Sequence, residues 1–160
     1  MNSDEMEIIY ETHKNTVYRT AFAYLRNSSD AEDITHDVFV KRFTTDITFE
    51  NNEKEKAWLI TVTANKCRNL FNSSGYRALI SSVQIDDVNL IGETEMSSPV
   101  FDAVMKLPEK YRLIVHLYYY EEYKISEICS ITGKNESAVQ TMLYRARLKL
   151  KKILGKEFMV

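Results

Sequence analysis

A chain of 160 residues that is 44% hydrophobic and 28% charged, with four Gly and two Pro, has apolar content for packed cores and too few turn-formers for a β-rich fold. No run of 18 apolar residues occurs, the opening MNSDEMEIIY has neither a basic nor an apolar leader region, and Cys67 and Cys129 make no disulfide framework. A membrane span, a secretory signal and a disulfide scaffold are therefore excluded from the expectation, which is a cytoplasmic, all-α protein. The net charge of −2 conceals an asymmetry: residues 1–100 hold 10 Lys and Arg against 16 Asp and Glu, and residues 101–160 hold 11 against 7.

In chain order, Met6, Ile9, Tyr10, Val17, Ala21, Phe22 and Leu25 keep helical spacing with one polar break around His13, which predicts a first helix. A second starts at the capping box Ser29-Asp30-Ala31-Glu32 and carries Ala31, Ile34, Val38 and Phe39 as its apolar stripe. A third begins near Asn52 with Ile60, Ala64, Cys67 and Phe71 on one face; its β-branched run lowers helix propensity without breaking the spacing. Trp58, followed by Leu59 and Ile60, reads as core rather than as a stacking platform. Residues 1–75 are thus expected to form one helical bundle.

Residues 76–100 differ in kind: Ser-rich, acidic at Asp86, Asp87, Glu93 and Glu95, and without a period. They read as a flexible tether, about 80 Å long when extended and about 27 Å in mean span as a coil.

A second helical module is expected over 101–160. Phe101, Val104, Met105 and Leu107 mark a short helix, and Pro108 suits the first turn of the next, along which Tyr111, Ile114, Val115 and Tyr118 recur. The adjoining Tyr118-Tyr119-Tyr120 run is read as buried aromatics, with a partner surface as the alternative. Ile125, Ile128, Cys129 and Ile131 form another short amphipathic helix, stopped by Gly133. Asn135 then caps a helix with Val139, Leu143, Ala146, Leu150 and Leu154 inside.

Helix, glycine turn and capped helix make a helix-turn-helix pattern, in which the second helix enters the major groove of DNA. Turn chemistry alone fits a plain αα-hairpin equally well. The six cations and no acid between Ser137 and Lys156 favour DNA. Ser137, Gln140, Thr141 and Tyr144 would face outward to base edges, with Arg145, Arg147 and Lys149 toward phosphates and Lys134 and Asn135 of the leading turn also in the DNA-binding set. A second window, Ala57 to Ile85, also lacks acids but carries only three cations.

An enzyme is a poor fit. His13, His36 and His116 match no zinc spacing, and no Gly-rich phosphate loop, nucleophile elbow or C-x-x-C occurs. No cofactor, metal or catalytic residue is expected. A stand-alone helix-turn-helix regulator is the alternative, and it leaves the N-terminal bundle without a task.

The modules together resemble a sigma factor of the extracytoplasmic-function group, the smallest members of the bacterial housekeeping-type sigma family. The motifs are YRTAFAYLRNSSDAEDITHDVFVKRF at 18–43, AWLITVTANKCRN at 57–69, and the block from LPEKYR to LYRARLKL at 107–150. The resemblance implies region 2 at 1–75, a linker at 76–100 whose carboxylates stand in for nucleic-acid phosphates in polymerase's RNA path, and region 4 at 101–160. It implies that Asp30, Glu32, Asp33, Ile34, Asp37, Val38 and Phe39 grip core RNA polymerase. It further implies that Asn51 and Asn52 read a flipped base of the start-proximal (minus-ten) element while Lys56, Lys66 and Arg68, with Asn65, Asn69 and Asn72 nearby, hold its strand. The helix from Asn135 would read the upstream (minus-thirty-five) element. Promoter DNA, core polymerase and a cognate anti-sigma protein, often membrane-anchored, are the implied partners. Members of the family typically carry Lys or Arg where this chain has Gln140 and Met142, and often Arg at Thr61 and Ala64. The expected consequence is weak DNA binding by the free chain.

Overall fold

The computed structural model describes residues 1–73, 75–76 and 98–155. The chain divides into two compact units, Met1–Gln84 and Ile85–Val160. Most of the tether read from sequence, including Asp86, Asp87, Glu93 and Glu95, lies outside the described residues.

In the first unit, α1 (Ser3–Leu25) runs unbroken through the polar gap at His13, because His13 is itself buried against the bundle. Arg26 closes it in the left-handed region, φ 56°, and donates its backbone N–H to Phe22 O at 2.8 Å. The chain then turns at once into α2 (Ser28–Thr44). Its cap is Asn27, whose side chain accepts from Asp30 N at 2.9 Å, two residues before the expected capping serine. Asn27 wins because a two-residue connection puts its carbonyl and amide at the first free N–H groups. A loop over residues 45–51 leads to α3 (Asn52–Phe71), capped by Asn51, which accepts from Lys54 N at 2.9 Å.

α1 packs on both other helices and α2 on α3. Val17, Phe22, Leu25, Val38, Leu59, Ile60 and Cys67 are sealed in this core. Burial pushes the Cys67 thiol far above its ordinary range, so it packs as a small hydrophobe.

In the second unit α4 (Pro99–Met105), capped by Ser98, and α5 (Glu109–Val115), entered through Pro108, meet where Arg112 donates to Leu107 O at 2.6 Å. α5 continues as a π-helical turn, His116–Tyr120, whose wider winding releases the chain toward α6 (Ile125–Thr132). His116 Nε2 lies 3.1 Å from Glu121 Oε2, and its ring stacks on Tyr120. α6 starts with Glu127 accepting from Lys124 N at 2.8 Å. It ends at Gly133, φ 75° and ψ 10°, a left-handed cap that glycine adopts without penalty. α7 (Glu136–Leu154) follows, with Asn135 accepting from Ala138 N at 2.8 Å. Val139, Met142, Leu143 and Ala146 form its buried stripe, packed against α4, α5 and α6.

Candidate nucleic-acid interface

The charge-bearing surfaces follow from which 100° sectors of each helix the cores consume. On α2 the inner sector takes Ala31, Ile34, Thr35, Val38, Phe39 and Arg42. Ile34, Val38 and Phe39 are therefore core, which corrects their expected placement on the partner-binding face; Phe39 stacks edge-on against Tyr10 at 5.0 Å. What α2 presents outward is Glu32, Asp33, His36, Asp37 and Val40. Asp30, half-buried, accepts a 2.5 Å hydrogen bond from the Tyr76 hydroxyl, which ties the end of the bundle back to the start of α2. Between α1 and α2 lies a groove of about 550 Å³ lined by Tyr10, Lys14, Tyr18, Glu32, Phe39 and Phe43 among others. Burial there, with Glu32 adding to it, raises the Tyr18 pKa.

On α3 the outer sector carries Lys54, Trp58, Thr61, Asn65, Arg68, Asn69 and Asn72, while Leu59, Ile60, Thr63, Ala64 and Cys67 turn inward. Arg68 Nη2 donates to Asn65 Oδ1 at 2.9 Å, so these two expected contacts form one pre-set polar pair. Asn69 and Asn72 share the exposed side, and Asn52 is exposed at the helix start. Asn51 is exposed too, but its Oδ1 is committed to the cap. Lys56 and Lys66 are half-buried at the flanks rather than on the outer face. Lys54, which no sequence argument singled out, is exposed on the outer side; the helix register, readable only once Asn51 is known to be the cap, puts it there. Trp58 is half-buried against Phe49 at 5.6 Å, so it is not the core residue expected. Ala64 is 5% exposed, so the lack of a cation there takes nothing from the surface.

A buried charged cluster supports this corner. Arg42 Nε donates to Glu55 Oε2 at 2.6 Å, and His13 Nε2 lies 3.7 Å from Glu55 Oε1, all three being 4–6% exposed. Burial outweighs the attraction of Glu55 and holds the His13 pKa below its ordinary value.

On α7, Lys134, Asn135, Ser137, Gln140, Thr141 and Tyr144 are all exposed, as are Arg145, Arg147 and Lys149. The structure brings these residues to one helix and its leading turn, opposite the buried stripe. Their surroundings differ. Arg147 Nε donates to the Tyr119 hydroxyl at 2.6 Å, and its guanidinium lies 5.6 and 5.9 Å from the Tyr119 and Tyr118 rings. Lys149 Nζ sits 5.9 Å from the Tyr111 ring. Both flank the core and lean onto aromatic faces. Lys151 and Lys152, left out of the expected contact set, project from the outer side with Leu148. Met142 is 9% exposed and belongs to the core, so only Gln140 of that pair subtracts a cation from the surface. Tyr119 and Tyr120 are about half exposed, against the expectation that this run is buried; the π turn swings them outward.

Comparison with known proteins bears on this arrangement directly. Residues 9–75 match the Sigma-70 region 2 model and residues 99–150 the Sigma-70, region 4 model. The chain is 31% identical over 142 residues to RNA polymerase sigma factor SigV of Bacillus subtilis, an alignment covering 88% of this chain and 85% of that protein. The chain belongs to the sigma-70 family. It is an RNA polymerase sigma factor of the extracytoplasmic-function group. ECF RNA polymerase sigma factor SigW of Bacillus subtilis is 25% identical, covering 96% of this chain and 90% of that one. The fold of this sigma factor matches RpoE of Bartonella quintana, solved in complex with the anti-sigma factor NepR, with a TM-score of 0.72, 18% identity, and coverage of 94% and 96% of the two chains. Among the described residues no group of His, Cys, Asp and Glu could hold a metal ion, and no helix is long and apolar enough to cross a membrane.

Proposed function

We propose that this sigma factor acts as a non-catalytic, cytoplasmic specificity subunit whose two units, region 2 at 1–75 and region 4 at 101–160 joined by the acidic 76–100 linker, read two promoter elements while held on core RNA polymerase. The observation that carries the reading is the pairing of two exposed polar helix faces. One is α3, with Lys54, Asn65, Arg68, Asn69 and Asn72; the other is α7, with Ser137, Gln140, Thr141, Tyr144 and Arg145. Each stands on a rigid helix opposite a packed stripe, as a reader of DNA requires. Gln140 offers a bidentate partner for adenine and Thr141 a hydroxyl or methyl.

The acidic edge of α2, Glu32, Asp33 and Asp37, suits a basic partner surface and is assigned to core polymerase; complementary charge there sets orientation and on-rate. Two promoter elements two helical turns apart lie about 70 Å from one another, a spacing that the large core enzyme is assigned to set. Strand opening draws on binding energy, with exposed Asn52 and the 45–51 loop taking a base out of the stack. An anti-sigma partner is assigned by analogy with the NepR complex, its grip on surfaces that are open when the protein is off the polymerase.

The test is reconstitution with core polymerase followed by start-site mapping. The expected result is a defined set of starts that appears only with the sigma factor and is lost with Asp33→Lys/Asp37→Lys. Undiminished promoter-dependent transcription by that variant would remove the α2 assignment.

A further inference from the structure

We infer that Arg42 and Glu55 are positioning residues that fix the 45–51 loop, through Phe49, in the shape that discriminates a promoter base. The inference rests on the reading of that loop given above. Arg42 is in the last turn of α2 and Glu55 in the first turn of α3, so their 2.6 Å ion pair clamps the two mouths of the loop. The Arg42 guanidinium then lies 5.0 Å from the Phe49 ring, and Phe49 packs on Trp58 at 5.6 Å. One side chain thus ties α2, the loop and α3 together, within a turn of helix from exposed Asn51 and Asn52.

Stability does not account for such a pair. A buried ion pair contributes little beyond an apolar pair of the same volume, and this one leaves Arg42 Nη1 and His13 Nε2 buried without a hydrogen-bond partner among the described residues. A guanidinium supplies direction instead: its planar fork fixes Glu55 on one edge while its face seats Phe49. Burial lowers the His13 pKa, which disfavours a second charged partner for Glu55 beside Arg42.

The test uses holoenzyme reconstituted from core polymerase and the full chain, and fork-junction DNA carrying each of the four bases at every unpaired start-proximal position. Arg42→Leu/Glu55→Leu replaces the pair by apolar volume and is expected to keep thermal stability and core association. Its strongest base preference should fall about tenfold. Phe49→Leu, a change in a half-exposed side chain, is expected to flatten the same position. If the double variant fails to fold, Glu55→Gln takes its place. A purely structural role would weaken all four forks alike, and that outcome, or a preference within about twofold of native, overturns the inference. A native holoenzyme without any base preference would instead overturn the reading of the loop.

Discussion

Six cations run along the end of the chain, yet the environments of the five on α7 separate them, and the salt dependence of promoter binding should show it. Replacing Lys151 and Lys152 by Ala removes two exposed charges from the outer side. In the counter-ion picture each phosphate contact contributes about 0.9 to the slope of log affinity against log salt, so the slope should fall by about 1.8. Between 50 and 200 mM salt the variant should then lose about tenfold less affinity than the native protein does. Arg147→Ala should behave differently. Its guanidinium is held by the Tyr119 hydroxyl at 2.6 Å and lies over two rings, so the slope should change by less than about 0.5, while the second unit loses roughly 0.5–1 kcal/mol of ring contact. The assay is fluorescence anisotropy of holoenzyme on a duplex carrying the upstream element, titrated at several salt concentrations. If Arg147→Ala lowers the slope as much as the double lysine change, or the lysines leave it unmoved, the division of the α7 surface argued above is wrong.

Asn135→Ala removes the acceptor for Ala138 N and should cost the second unit about 1 kcal/mol, measured as faster hydrogen exchange of α7 amides with the first unit unaffected. Gly133→Ala meets nothing within 4 Å of the added Cβ, so only the left-handed backbone opposes it; the same exchange assay should read a loss of about 1–2 kcal/mol. For pH, the folded His13 pKa is below its unfolded value, about 6.5. Its contribution is complete above that value and is lost as pH falls through the folded pKa, at up to about 1.4 kcal/mol per unit. Urea unfolding followed by the single Trp58, which reports on the first unit, should weaken from pH 7.5 to 5.5, and His13→Gln should flatten that slope; an unchanged slope would exonerate His13.

Much of this architecture was legible in one dimension, because helical period and cap chemistry are local. The third helix start, the Gly133 stop and the Asn135 cap are each decided by residues within a few positions and stand where the spacing put them. Of the expected inner stripe of α7, Val139, Leu143 and Ala146 are buried, joined by Met142, while Leu150 and Leu154 are half-buried. Tertiary contact decided what period alone cannot. The break at His13 is a buried polar residue because Glu55 of α3, itself paired with Arg42 of α2, comes to meet it. The acidic edge of α2 kept its carboxylates outside while Ile34, Val38 and Phe39 went to the core, since packing on α1 and α3 selects one face of an apolar stripe. Arg145, Arg147, Lys149, Lys151 and Lys152, alike in sequence, became ring-held or outward-pointing according to where the tyrosines of the preceding segments fell. Charge along a chain shows that a polyanion can be met, but only the packed neighbours determine which of those charges remain available to meet it.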